Sequence, residues 1–141
     1  MTFETFQLKL TSTDHELWGT VLWASSDDSG QPLDKEHTIH DVDSDDVLRL
    51  NADYWQFCER ADAVLIKHGR GDTCLEDLWA TRVEHLFVLV RERHGVSFTD
   101  DWIPGSVTHK IAVELDRIAR SYPQINAMAD STGRRVTCYW E

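Results

Sequence analysis

Ile125-Asn126-Ala127-Met128-Ala129-Asp130-Ser131-Thr132-Gly133-Arg134-Arg135-Val136-Thr137-Cys138-Tyr139-Trp140 is the stretch that decides the fold class. Two short runs, 125–129 and 135–140, flank a cluster of turn formers. Asp, Ser, Thr and Gly between two such runs are a strong signal for a β-hairpin. The second apolar segment upstream, Leu86-Phe87-Val88-Leu89-Val90, is strand-sized, rich in Val and Leu, and followed by the turn-forming Arg91-Glu92-Arg93-His94-Gly95. It reads as a strand over 86–91 buried on both faces, and Val96-Ser97-Phe98 as a short returning strand. A small antiparallel sheet of about three strands (86–91, 125–129, 135–140) follows.

Working outward, helical spacing replaces alternation. Val47, Leu50, Tyr54, Phe57, Ala61 and Val64 recur every three or four residues, which predicts a helix over 44–67 capped by Asp43 or Ser44 and stopped at Gly69. Thr13 and Glu16 form a capping-box pattern ahead of Leu17, Trp18, Val21 and Leu22, which predicts a helix over 14–25. Thr73 and Glu76 suggest another over 74–82. Pro104-Gly105-Ser106 introduces a fourth over 106–122, with Ile111, Leu115, Ile118 and Tyr122 on one face and Pro123 as its stop. Phe6, Leu8 and Leu10 alternate in an N-terminal extended segment. Helices and strands without regular βαβ alternation place the chain in the α+β class. Its 141 residues, without an interdomain linker, read as a single α+β domain over 1–141.

Composition narrows the function classes. No apolar run approaches the roughly 18 residues that a membrane span needs, and the first ten residues lack the apolar core of a signal peptide, so the expected setting is cytoplasmic. Cys58, Cys74 and Cys138 are odd in number and unpaired by spacing; they read as three buried thiols rather than a disulfide framework or a zinc site. Six Trp residues are a heavy aromatic load, so some should lie at the core edge or in an interface.

Charge is the most informative property. Of the formal net charge of −11, residues 14–62 carry thirteen acidic against three basic side chains, and residues 63–141 carry eleven against ten. The densest part is 27–46, where Asp27, Asp28, Asp34, Glu36, Asp41, Asp43, Asp45 and Asp46 face Lys35 alone. Such a surface disfavours direct binding to nucleic acid or anionic membrane and favours a basic partner. Carboxylates held on a folded surface can imitate the phosphate rows of a nucleic acid and occupy a basic groove. A solvated face that keeps the protein soluble is the plainer alternative. Trp18 or Trp23 could add an aromatic anchor.

Other constellations point elsewhere or nowhere. Arg91, Arg93, His94, Asp100 and Asp101 form the densest set of reactive side chains. His94 with Asp100 could serve as acid and base, with Arg91 holding a small anionic substrate; a solvated polar turn around Gly95 is the alternative. Asp41-Val42-Asp43-Ser44-Asp45-Asp46 opens like a calcium loop, but Asp46 and Ala52 stand where that motif needs Gly and Glu. His37 and His40 beside Asp41 have loop spacing that is weak for a metal. No phosphate loop, dinucleotide fingerprint or hydrolase elbow is present, and no cofactor is expected.

Leu22-Trp23-Ala24-Ser25-Ser26-Asp27-Asp28-Ser29-Gly30-Gln31-Pro32-Leu33-Asp34 resembles the LWSSTDDDGEPLD opening of a family of short acidic proteins encoded by phages and mobile elements. Residues 91–100 resemble that family's TRNGHGAGFWDR segment, departing at Ser97 (Gly there) and Thr99 (Trp there), and Asp130–Gly133 sits at its DDG hairpin. The resemblance implies a phage or mobile-element setting and a small α+β domain, and it carries no catalytic residues across. The expectation is a non-enzymatic acidic binding protein that inhibits a host nucleic-acid-handling or defence protein. An enzyme using His94 and Asp100 and a toxin-neutralising immunity protein are the alternatives.

Overall fold

In the computed structural model, which describes residues 9–27, 29–100, 102–103, 105 and 107–141, the 125–140 stretch is the expected antiparallel hairpin. Strand β1 (Ile125–Ala129) pairs with β2 (Val136–Trp140), Ile125 opposite Trp140 and Ala129 opposite Val136. The Asp130 carboxylate closes the turn by accepting the Thr132 N–H at 3.1 Å and the Thr132 hydroxyl at 2.6 Å. Gly133 supplies the left-handed residue, with φ +71°. A lone hairpin is marginal in water. This one buries Ile125, Ala127 and Val136 against the core, and Val42 adds an isolated parallel bridge to Val136.

The described residues contain four α-helices: α1 Ser12–Ala24, α2 Ser44–Lys67, α3 Val83–Arg91 and α4 His109–Arg120. Helix α2 is the 44–67 helix read from periodicity, with Val47, Leu50, Tyr54, Phe57, Ala61 and Val64 all buried. It ends in a Schellman motif: Arg70 N–H reaches the Leu65 carbonyl at 2.7 Å, Gly69 N–H reaches Ile66 at 3.0 Å, and Gly69 takes φ +76°.

The anticipated strand 86–91 is overturned, so among the described residues the sheet has two strands rather than three. That stretch is helix α3, in which every residue except His85 is buried. A helix buried all round shows no polar face, and a short apolar run cannot by itself reveal whether its period is 2 or 3.6. The 74–82 helix is also corrected: only Leu75–Asp77 makes a single 3-10 turn. The Thr73 hydroxyl, cast as its cap, donates instead to the Arg70 carbonyl at 2.6 Å. Val96–Phe98 is not a strand but a turn fixed by Asp116, which accepts the Phe98 N–H at 2.6 Å and the Ser97 hydroxyl.

Boundaries shift for physical reasons. The cap of α1 is Thr11, not Thr13, because Asp14 completes the box with Thr11 and is buried while accepting Asn51 Nδ2 at 2.8 Å. Helix α4 starts at His109, with the Thr108 hydroxyl accepting the Ile111 N–H. Pro104 and Ser106 lie outside the described residues, as do Phe6 and Leu8 of the anticipated N-terminal extended segment.

Helix α3 packs against α1 and α4, and α2 packs against both α1 and α4. The seam is aromatic: Phe57 meets Phe87 at 4.8 Å between ring centroids, with Phe98, Tyr54 and Tyr122 around them. Each such ring withdrawn from water contributes about 1.5–3 kcal/mol. Trp18 and Trp79 are buried, whereas Trp23 and Trp55 are exposed. Cys58 and Cys138 are half-buried, but Cys74 is exposed, which corrects the reading of three buried thiols.

Candidate functional site

The acidic tract is folded onto the body by short-range hydrogen bonds. Asp27 accepts the Ser29 N–H and hydroxyl and the Gln31 N–H, all within 2.9 Å. These bonds, the Ser29 hydroxyl foremost, hold its carboxyl below the usual aspartate value. Ser26 then bridges Pro32, and 3-10 turns at Leu33–Lys35 and Ile39–Asp41 carry the chain to α2. Leu33, Ile39 and Val42 are buried, which fixes the tract to the core. Asp34 and Glu36 between them point to solvent.

From Asp41 onward the acids other than Asp45 have structural partners. Asp41 accepts the Thr38 N–H at 3.2 Å and sits 3.0 Å from His37 Nδ1. Asp43 occupies the N-cap position of α2 without capping it, and bonds instead to Arg135 of the hairpin at 2.8 Å. Asp45 is exposed in the first turn, where its charge complements the helix dipole. Asp46 accepts the Trp140 indole N–H at 2.9 Å, and Arg49 stacks over that indole at 4.2 Å. Asp28 lies outside the described residues. The tract therefore divides into exposed Asp34, Glu36 and Asp45, half-buried Asp27 and Asp41 engaged in local turns, and Asp43 and Asp46, which tie α2 to the hairpin. A crevice of about 60 Å³ places Asp27 and Glu36 beside Gly133 of the hairpin turn. Of the two proposed aromatic anchors, Trp18 is in the core and Trp23 is 53 % exposed.

The second set does not gather around one point. Arg91 closes α3 and is wholly buried. Its Nε and Nη2 donate to the Pro123 carbonyl at 2.9 and 2.7 Å, and Nη2 also meets Asp53 at 3.1 Å. The guanidinium lies 5.3–5.5 Å from the rings of Phe87, Tyr122 and Trp140. Desolvation pulls its pKa down and Asp53 pushes it back. Arg93 and His94 are exposed. Asp100 is exposed too, and its carboxylate accepts the Ser97 N–H at 2.9 Å. Gly95, at φ +80°, has the positive angle expected of a turn glycine. Asp101 lies outside the described residues. His37 and His40 stay near the acidic tract with His15, whose ring is 6.0 Å from that of His40. No group of three metal-ligating side chains occurs among the described residues.

One site was not visible in the sequence. Tyr54 and Trp55 of α2 face Glu76, Trp79 and the Arg82–Glu84 entry to α3 across a crevice. Glu84, a carboxylate just ahead of the apolar run 86–90, was its only signal.

No family model, no curated protein and no solved structure matches this chain. Among the described residues no helix is long and apolar enough to cross a membrane.

Proposed function

We propose that the chain is a non-enzymatic acidic binding protein that engages a basic surface on another protein and blocks it. Its resemblance to phage and mobile-element proteins sets the context: the partner is a host nucleic-acid-handling or defence protein, whose phosphate-binding groove the carboxylates of 27–46 occupy. The observation that carries this reading is the exposed limb of the acidic tract. Its exposed members Asp34, Glu36 and Asp45, next to half-buried Asp27, are held on hydrogen-bonded turns and a helix N-terminus, which lowers the ordering entropy that a loose loop loses on binding. Trp23, four residues before Asp27, supplies an exposed ring on α1. The enzymatic reading draws less support, since Arg91 is committed to Pro123 and Asp53 inside the core.

The test is capture of partners from host lysate at low and at high salt, with Asp34→Lys, Glu36→Lys and Asp45→Lys combined in one variant. The expected result is a basic partner retained at low salt, released at high salt and lost by the variant, whose circular dichroism is unchanged. A partner that ignores both salt and charge reversal, or no partner at all, sinks the proposal.

A further inference from the structure

The crevice beside Tyr54 has a volume of about 290 Å³, room for one long side chain rather than a cofactor. Its floor is Glu84, 5 % exposed, in the first turn of α3. One oxygen of Glu84 accepts the Tyr54 hydroxyl at 3.2 Å, and the other meets the Arg82 guanidinium at 3.3 Å. Trp55, half-exposed, and Trp79, buried, line it, with Glu76 also on its wall.

Charge decides what the crevice accepts. Two carboxylates, Glu76 and Glu84, line it against the single guanidinium of Arg82, which Glu16, outside the crevice, also meets at 3.5 Å. The positive end of α3 offsets only about half a charge. An anion is therefore repelled and a cation attracted. The site already holds one: Arg82 bridges Glu16 and Glu84 with its side chain 64 % exposed. That arginine can remain on Glu16 while an incoming cation takes Glu84, and indole and phenol rings favour a cation beside them.

We propose that this crevice binds one guanidinium or alkylammonium group, with Glu84 taking the charge, Trp55 and Trp79 flanking the alkyl stem, and Arg82 as the displaceable occupant. That the group arrives on an arginine or lysine of a basic partner rests on the reading above; the cation site itself does not.

Calorimetric titration with N-acetyl-arginine methylamide, its neutral citrulline counterpart and agmatine tests this. Saturable binding of the arginine amide is expected, with the citrulline compound at least tenfold weaker. Arg82→Ala, at an exposed position, should tighten binding severalfold by removing the competing cation. Glu84→Gln should weaken it at least tenfold, with thermal unfolding confirming that this variant is folded. Tighter binding of the amide than of agmatine assigns a protein side chain as the source, and the reverse assigns a free guanidine; both support the site. No saturable binding, equal binding of the citrulline compound, or weaker binding to Arg82→Ala overturns it. The triple variant Asp34→Lys, Glu36→Lys, Asp45→Lys should retain this affinity within twofold. Failure of the acidic-face reading and failure of the crevice therefore give different results.

Discussion

Arg93 occupies the one backbone position among the described non-glycine residues with positive φ, +58°. It is the left-handed residue of a Schellman motif that ends α3: His94 N–H reaches Leu89 at 3.0 Å and Arg93 N–H reaches Val90 at 3.1 Å. An L-residue there costs about 1–2 kcal/mol relative to an unstrained conformation, and α2 shows the usual solution with Gly69 at the same place. Arg93 is exposed, so no packing is lost on replacing it. Arg93→Gly is expected to raise unfolding stability by about 0.5–1 kcal/mol, after the entropy of the extra glycine is subtracted. A urea titration measures this, and an unchanged or lower midpoint would contradict it. Its neighbour Arg91 shows how a residue's role escapes sequence reading. As the first of a charged string it looked solvent-facing, but its place in the last turn of α3 turns it inward onto the Pro123 carbonyl.

At the scale of elements, those with one polar face were legible and those without were not. Helix α2 has residues that alternate between core and water at helical spacing, and the hairpin was revealed by the turn formers between its two strands. Helix α3 has no water side except at His85, so its composition suggested a strand. The acids of the candidate surface were legible because charge can be counted along the chain. The Glu84 crevice was not, since residues 54, 76 and 84 meet only after α2 and α3 pack. Helix α1 carries an anomaly that sequence alone does expose: Gly19 in its middle, where an added Cβ would meet nothing within 4 Å. Gly19→Ala should therefore stabilise the fold by about 0.5–1 kcal/mol, read as a higher thermal midpoint. A fall in the midpoint would mean that this glycine serves the packing after all.

At the scale of the whole molecule, the half-buried carboxyl of Glu92 links the fold to pH. Burial raises this carboxyl to about 7, while the Ile125 N–H it accepts at 2.7 Å and the nearby Arg91 and Arg93 pull the other way. An unfolded chain releases the proton near 4.5, so between those values the folded state holds more protons than the unfolded one. Stability therefore falls as pH rises from about 4.5 to about 7, by up to ~3 kcal/mol. Asp27, Glu114 and Asp130, whose carboxyls are held low, act with the opposite sign and only at more acidic pH. Denaturant midpoints at pH 5 and pH 8 should show the wild type losing stability at the higher pH and Glu92→Gln losing much less; equal losses would rule the linkage out. The almost wholly enclosed helix α3 has a cost of another kind. Its Leu86–Val90 segment, uncharged, free of proline and rich in β-branched and large apolar residues, is the composition that stacks into intermolecular sheets when exposed. Only Glu84 on one side and Arg91-Glu92-Arg93 on the other stand as charged gatekeepers. Whenever the chain opens, its recovery is thus a race between burying that segment and donating it to another copy, and crowding the chains together favours the second.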